Sequence, residues 1–266
     1  MLELIVTKIG FWKIKRLWER TNHYFRYIIR GLRIDFGNML DDSAVLNLVR
    51  TERKSIIRWG DGETNFYFYG NTASQEINLN MVSEMRKILT EYSEDSKYIL
   101  CIPSPKQLKF QRRNSLRNPW RDTASLLSSK LTSNVEFGNA FIFRTAKNET
   151  IEGISKRGEP DLRSQIHFLV EDKQRIFLVS SLSEHLVIFD PKILSRVVHI
   201  PTPRTNGLSD LDKIQSKLLD FYKIDCKKDI VIISAGILGK FLVYRLSMRG
   251  KVAIDVGGAF KKFENL

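Results

Sequence analysis

Residues 229–258 read D-I-V-I-I-S-A-G-I-L-G-K-F-L-V-Y-R-L-S-M-R-G-K-V-A-I-D-V-G-G. Ile230 to Ile233 form an unbroken β-branched run, the pattern of a strand covered on both faces. Ala235-Gly236 breaks it, residues 237–249 suit a helix, and residues 251–256 are a second short apolar strand. Strand, helix and strand within thirty residues make a βαβ unit, whose two strands lie parallel. Working outward, residues 175–181 and 197–200 are further buried strands, and Ser209 with Asp212 reads as a capping box ahead of Leu211, Ile214, Leu218 and Tyr222. Toward the amino terminus, strands are expected at 55–58, 97–102 and 135–144, and helices at 43–53, 76–95 and 119–132. The fold class is α/β: a Rossmann-like, mostly parallel sheet with helices on both faces. One domain is expected over residues 39–266, preceded by a distinct segment, 1–38.

The chain has 266 residues, enough for a sizeable core, and 42% hydrophobic with 27% charged residues excludes a disordered or fibrous protein. Charge is the unusual quantity: 43 basic against 30 acidic residues gives +13, which favours an anionic partner without choosing among phosphate ligand, nucleic acid and membrane surface. Cys101 and Cys226 are too few for a disulfide framework or a zinc site and read as core residues of a reducing compartment. No apolar stretch is long enough to span a bilayer and none reads as a secretory signal, so a cytoplasmic location is expected.

Residues 1–34 carry eight basic and two acidic residues, with Phe11, Trp12, Trp18, Tyr24, Phe25 and Tyr27 among them. A basic face beside an aromatic face at helical spacing is the composition of an interfacial membrane helix. A helix packed on its own domain and a nucleic-acid contact have the same pattern, so composition leaves the three readings open.

Two stretches carry chemistry. Arg58-Trp59-Gly60-Asp61-Gly62-Glu63 follows strand 55–58, at the carboxyl end where open α/β sheets bind ligands. Asp61 and Glu63, flanked by Gly60 and Gly62, suit one hard divalent cation, Mg²⁺ or Mn²⁺, with substrate phosphates as further ligands, and Arg58 suits a phosphate. A bare D-x-E is also a frequent solvated triplet. Ser234-Ala235-Gly236-Ile237-Leu238-Gly239-Lys240 crosses from strand to helix, where helix-end amides make an anion site or the glycines only allow a tight turn. It matches neither the Walker loop nor the full dinucleotide fingerprint. Asp255 suits a ribose or a loop cap. Asn139, Arg144, Ser180, Ser181, Arg204 and Asn206 stand at or near other strand ends, each more often a turn residue alone than a ligand contact. The four histidines, His23, His167, His185 and His199, have no metal-ligand spacing.

In order and spacing these elements resemble the GT-D fold glycosyltransferases, over residues 40 to 258. The Arg58–Glu63 stretch is similar to the family's opening signature, with tryptophan for the usual phenylalanine. Gly138-Asn139-Ala140-Phe141 with Arg144, Phe177-Leu178-Val179-Ser180, Pro203 to Asn206, Ile232-Ile233-Ser234-Ala235-Gly236 and Ala253-Ile254-Asp255-Val256-Gly257 resemble its later elements. The chain departs from it at Ile237-Leu238, where Pro-Thr is frequent, and at Gly258-Ala259-Phe260. The resemblance implies sugar transfer, typically of glucose, from a UDP-sugar, with Mn²⁺ (or Mg²⁺) on Asp61 and Glu63. It implies donor contacts among Gly60, Gly62, Asn139, Arg144, Ser181, Arg204, Asn206, Ser234, Gly236, Gly239 and Asp255. The acceptor it implies is a glycan of bacterial surface polysaccharide or glycoprotein, lipid-linked acceptors included, met by a peripheral enzyme at the inner face of the membrane. Nucleic acid is not an expected partner; the alternative is a non-catalytic basic protein that binds nucleic acid or anionic glycan.

Overall fold

The computed structural model describes residues 39–69, 79–103, 135–143 and 162–260, with the single positions Trp18, Thr21 and Leu126. The expected helix 119–132 and nearly all of segment 1–38 lie outside the described residues, as do Arg144 and the Asp61 side chain.

The chain forms α1 (Asp42–Thr51), β1 (Ser55–Arg58), α2 (Asp61–Tyr69), α3 (Leu79–Thr90), β2 (Tyr98–Ile102) and β3 (Gly138–Asn139). It continues as α4 (Leu162–Val170), β4 (Arg175–Ser180), α5 (Pro191–Leu194), β5 (Val197–Pro201) and α6 (Leu211–Ser216), then β6 (Asp229–Ser234), α7 (Gly236–Ser247) and β7 (Ala253–Asp255). The seven strands make one sheet in the order β3-β2-β1-β7-β6-β4-β5, and every described pairing is parallel.

Strand residues alternate between two cores, as the period of two requires. Ile57, Leu100, Phe177, Val179, Val231 and Ile233 pack on one face beneath α2, α3, α6 and α7. Ile56, Ile99, Leu178, Ile230, Ile232 and Ile254 pack on the other beneath α1, α4 and α5. Covered on both sides, β1, β2 and β6 are buried along their whole length.

Two local expectations are corrected. The strand expected at 135–144 is two residues long, because the Asn139 side chain accepts a hydrogen bond from the Phe141 amide at 2.9 Å and turns the chain. The Ser209–Asp212 capping box does not form: Ser209 Oγ donates to the Asn206 carbonyl, Gly207–Asp210 is a 3-10 turn, and no side chain caps α6. The tight turn satisfies locally the groups a cap would have served.

Cys101 is buried in β2 against Gly138, where a Cβ would overlap its sulfur and press Val45 at 3.0 Å. Gly138→Ala is therefore expected to cost about 1–3 kcal/mol of stability, as overpacking does. Urea unfolding checks this, and a neutral result would mean that β2 and β3 part easily.

Candidate active site

The carboxyl ends of β1, β7 and β6 bring one charged cluster together. Gly60 turns the chain out of β1 into α2, and Glu63, on the first turn of that helix, reaches back so that its Oε2 accepts from the Gly60 amide at 2.6 Å. This is the carboxylate half of a capping box. The indole of the fully buried Trp59 donates to Thr64 Oγ1 at 3.1 Å, and that hydroxyl donates to the Gly60 carbonyl.

Across the sheet edge, α7 is buried almost all round, yet carries Lys240 inward. Lys240 Nζ lies 3.0 Å from Glu63 Oε1 and 3.1 Å from Asp255 Oδ2, and donates to the Gly236 carbonyl at 3.2 Å. Lys240 is 4% exposed, Glu63 7% and Asp255 not at all. Burial works to raise the Glu63 carboxyl, but the Lys240 ammonium and the amide hydrogen bonds outweigh it and hold the group below the ordinary carboxylate range. Burial likewise works to lower Lys240, and the attraction of Asp255 and Glu63 outweighs it, so the amine stays protonated. Asp255 also accepts from the Arg58 amide at 3.2 Å and, through Oδ1, from the Gly257 amide at 2.9 Å.

Arg58 does not stand as an open phosphate fork. It is 6% exposed; its Nε donates to the Ala140 carbonyl at 2.7 Å and its Nη1 to the Val256 carbonyl, tying the loops after β3 and β7 to β1. Gly257 passes so close, at φ +57, that a Cβ there would lie 2.7 Å from Nη1.

Of the two carboxylates expected to chelate a cation, Glu63 does not stand free. Its Oε1 is paired with Lys240 and its Oε2 with the Gly60 amide. Asp61 opens α2 at the strand end, and its side chain lies outside what the structure describes.

The other predicted residues divide by strand. Ser234 Oγ donates to the Gly257 carbonyl at 2.8 Å. Gly236 opens α7 at φ +55, is exposed with nothing within 4 Å of a built Cβ, and no side-chain hydrogen bond caps that helix. Gly239 lets α7 pack against Asp255, where a Cβ would stand 3.3 Å from Oδ1; Gly62 has open space around it. Asn139 is spent on its own turn. Ser181 follows β4, and Arg204 and Asn206 are exposed after β5. Four strand spacings separate β5 from β1, on the order of 19 Å, so these two stand well apart from the Lys240 cluster. Between them β6 sends the chain to α7 on one face while β4 sends it through Ser183–Ile188 to the other. Diverging connections open a crevice at the carboxyl edge.

Lys240 is the residue the sequence reading passed over. Its signal was present: a lysine amid the apolar run Ile237 to Val243, four residues after Gly236. A second unread contact joins Ser180 Oγ to His199 Nε2 at 3.0 Å, the hydroxyl donating to the Leu182 carbonyl.

A parallel sheet covered on both faces, with a buried charged cluster at the carboxyl ends of its central strands, defines the class. Residues 56–266 match the family described as glycosyltransferase GT-D fold, and the chain belongs to that family. Its activity is accordingly that of a glycosyltransferase. Solved structures agree in fold. A selenomethionine-substituted domain of unknown function 1792 is 18% identical over 88% of this chain and 83% of that one, with a TM-score of 0.66. A structure described as a distinct glycosyltransferase fold of the same domain is 18% identical over 85% of this chain and 80% of that one, at 0.64. A glycosyltransferase of that domain from Streptococcus sanguinis is 19% identical over 85% and 83%, at 0.63. No curated protein matches the sequence.

Proposed function

We propose that the chain transfers a hexose, glucose being the first candidate, from a UDP-sugar to a glycan acceptor of bacterial surface polysaccharide or glycoprotein. The observation that carries this is the uncapped start of α7, open at Gly236, beside the buried Lys240–Glu63–Asp255 cluster. Departure of the sugar leaves negative charge growing on the diphosphate, and fixed helix-end amides stabilise such charge without reorganising.

Lys240 and Glu63 hold the turn that carries Asp61, and Asp61 is the ligand assigned to Mn²⁺ or Mg²⁺. When bound, that cation supplies positive charge to the donor phosphates. Asp255 fixes the amides of Arg58 and Gly257, which sets the floor of the crevice. The oppositely placed Arg204 and Asn206 are assigned to the distal part of the donor. Residues 1–34 are assigned to an anionic membrane surface. No helix among the described residues is long and apolar enough to cross a membrane.

A donor panel tests this reading. UDP-glucose with Mn²⁺ is expected to raise the melting temperature by several degrees and to give slow UDP release, with other nucleotide sugars less effective. A flat panel, together with steeply salt-dependent binding of polyanions, would favour the non-catalytic alternative.

A further inference from the structure

The amino ends of the strands, at the edge opposite the site, carry the two most exposed large apolar side chains among the described residues of 39–260. Phe221 ends the π-helical turn Lys217–Phe221 that continues α6, and it is 75% exposed. Met248 caps α7 and is 59% exposed. Both segments lie on the same face and run toward this edge, and Lys251 Nζ donates to the Ile224 carbonyl at 2.7 Å, joining their ends.

The π turn sets the phase. Tyr222 donates its amide to the Lys217 carbonyl, Leu218 is buried, and Tyr222 packs on Phe177, which leaves Phe221 edge-on to Tyr222 and out in water. Arg175 fixes the arrangement from beneath, paired through two nitrogens with Asp229 and donating to the Tyr222 carbonyl at 3.1 Å. An aromatic residue held outward by a rigid, bonded support costs little ordering on contact.

Around these two tips stand Lys217, Lys223, Lys227, Lys228 and Arg249, all exposed, with Lys251 half-buried. Lys223 is held outward of the chain bend at φ +49. The acidic groups on the same segments are Asp220, exposed, and Asp225, whose carboxylate accepts from the Lys227 amide at 2.7 Å. On these two segments, 217–228 and 248–251, six basic and two acidic side chains leave a net of +4.

We infer that this edge is a docking surface for an anionic lipid bilayer. Phe221 and Met248 enter the boundary between headgroups and acyl chains, and the five exposed cations meet lipid phosphates. Two separate apolar tips form no contiguous patch of the size a stable protein interface buries. Insertion needs no such patch, because each tip and each cation adds separately. Docking here turns the carboxyl edge, and with it the site, away from the membrane toward water. The inference does not rest on the reading of the reaction, and it is distinct from the assignment of residues 1–34.

Full-length protein is compared on vesicles of equal phosphatidylglycerol and phosphatidylcholine and on phosphatidylcholine alone. Phe221→Ser with Met248→Ser is expected to lower affinity for the anionic vesicles about tenfold or more, and Lys227→Gln or Lys228→Gln about fivefold each. UDP release should stay unchanged. A spin label at position 248, introduced as Met248→Cys with Cys226→Ser, is expected to gain oxygen accessibility and lose nickel-chelate accessibility on anionic vesicles. Binding with the label still in water would assign the contact to residues 1–34 alone and overturn the inference, as would unchanged affinity of the double variant. Capture of an acidic protein without vesicle binding would overturn it equally.

Discussion

Lys240→Met is expected to lose about 3–5 kcal/mol of folding stability, the largest effect of any single substitution at the site. The reason is asymmetry. In the native protein one buried ammonium bridges two buried carboxylates, at 3.0 and 3.1 Å, with the buried Arg58 guanidinium as the second cation of the cluster. Methionine fills a similar volume but leaves the buried carboxylates of Glu63 and Asp255 without the ammonium that bridges them. Those carboxylates must then take up protons or open the edge to solvent, and either response loosens the contact between α2 and α7. Urea unfolding followed by far-ultraviolet circular dichroism reads the loss. If the variant does not fold at all, the combination Lys240→Met with Glu63→Gln, which removes one of the two stranded charges, should recover part of the stability. A loss under about 1 kcal/mol in the single variant would mean that water reaches the cluster freely, and that Lys240 is no part of the core.

Asp61→Asn is expected to reduce UDP release about a hundredfold while leaving the melting temperature within a degree or two of wild type. A group that acts on developing charge produces this split. Glu63→Gln should behave otherwise, because Glu63 closes the turn at Gly60 and pairs with Lys240. It is expected to lower both activity and stability, and to leave Mn²⁺ affinity of the protein nearly unchanged where Asp61→Asn weakens it. Titration calorimetry with Mn²⁺ alone separates the two residues. Equal loss of metal affinity in both variants would restore the chelating pair that the sequence suggests.

Much of the architecture was legible from local pattern. Buried parallel strands announce themselves as short continuous apolar runs, and 175–180, 229–234 and 253–255 were read to within a residue or two at each end. The helix expected over 76–95 ends earlier, at Thr90, because periodicity marks a face better than an end, and its expected start at 76–78 lies outside the described residues. The strand at 135–144 and the Ser209 cap failed for one reason. Asn139 and Ser209 both use polar atoms to bond the nearby backbone, and that local bond competes with the regular element.

By itself, the amino-acid order determined which segments are strands, that they lie parallel between two helical layers, and that Arg58 to Glu63 and Ser234 to Lys240 stand at the same edge. Burial and connection length fix these, and both are written locally. Only the tertiary structure decided what the charged groups do there. Arg58 and Asp255 are 197 residues apart in the chain and meet by hydrogen bond across neighbouring strands. Glu63 finds its counter-charge in a lysine on a helix that follows another strand. In a buried edge every charge must find a partner, and pairing at long range is a matter of which backbone passes within 3 Å, which no periodicity records.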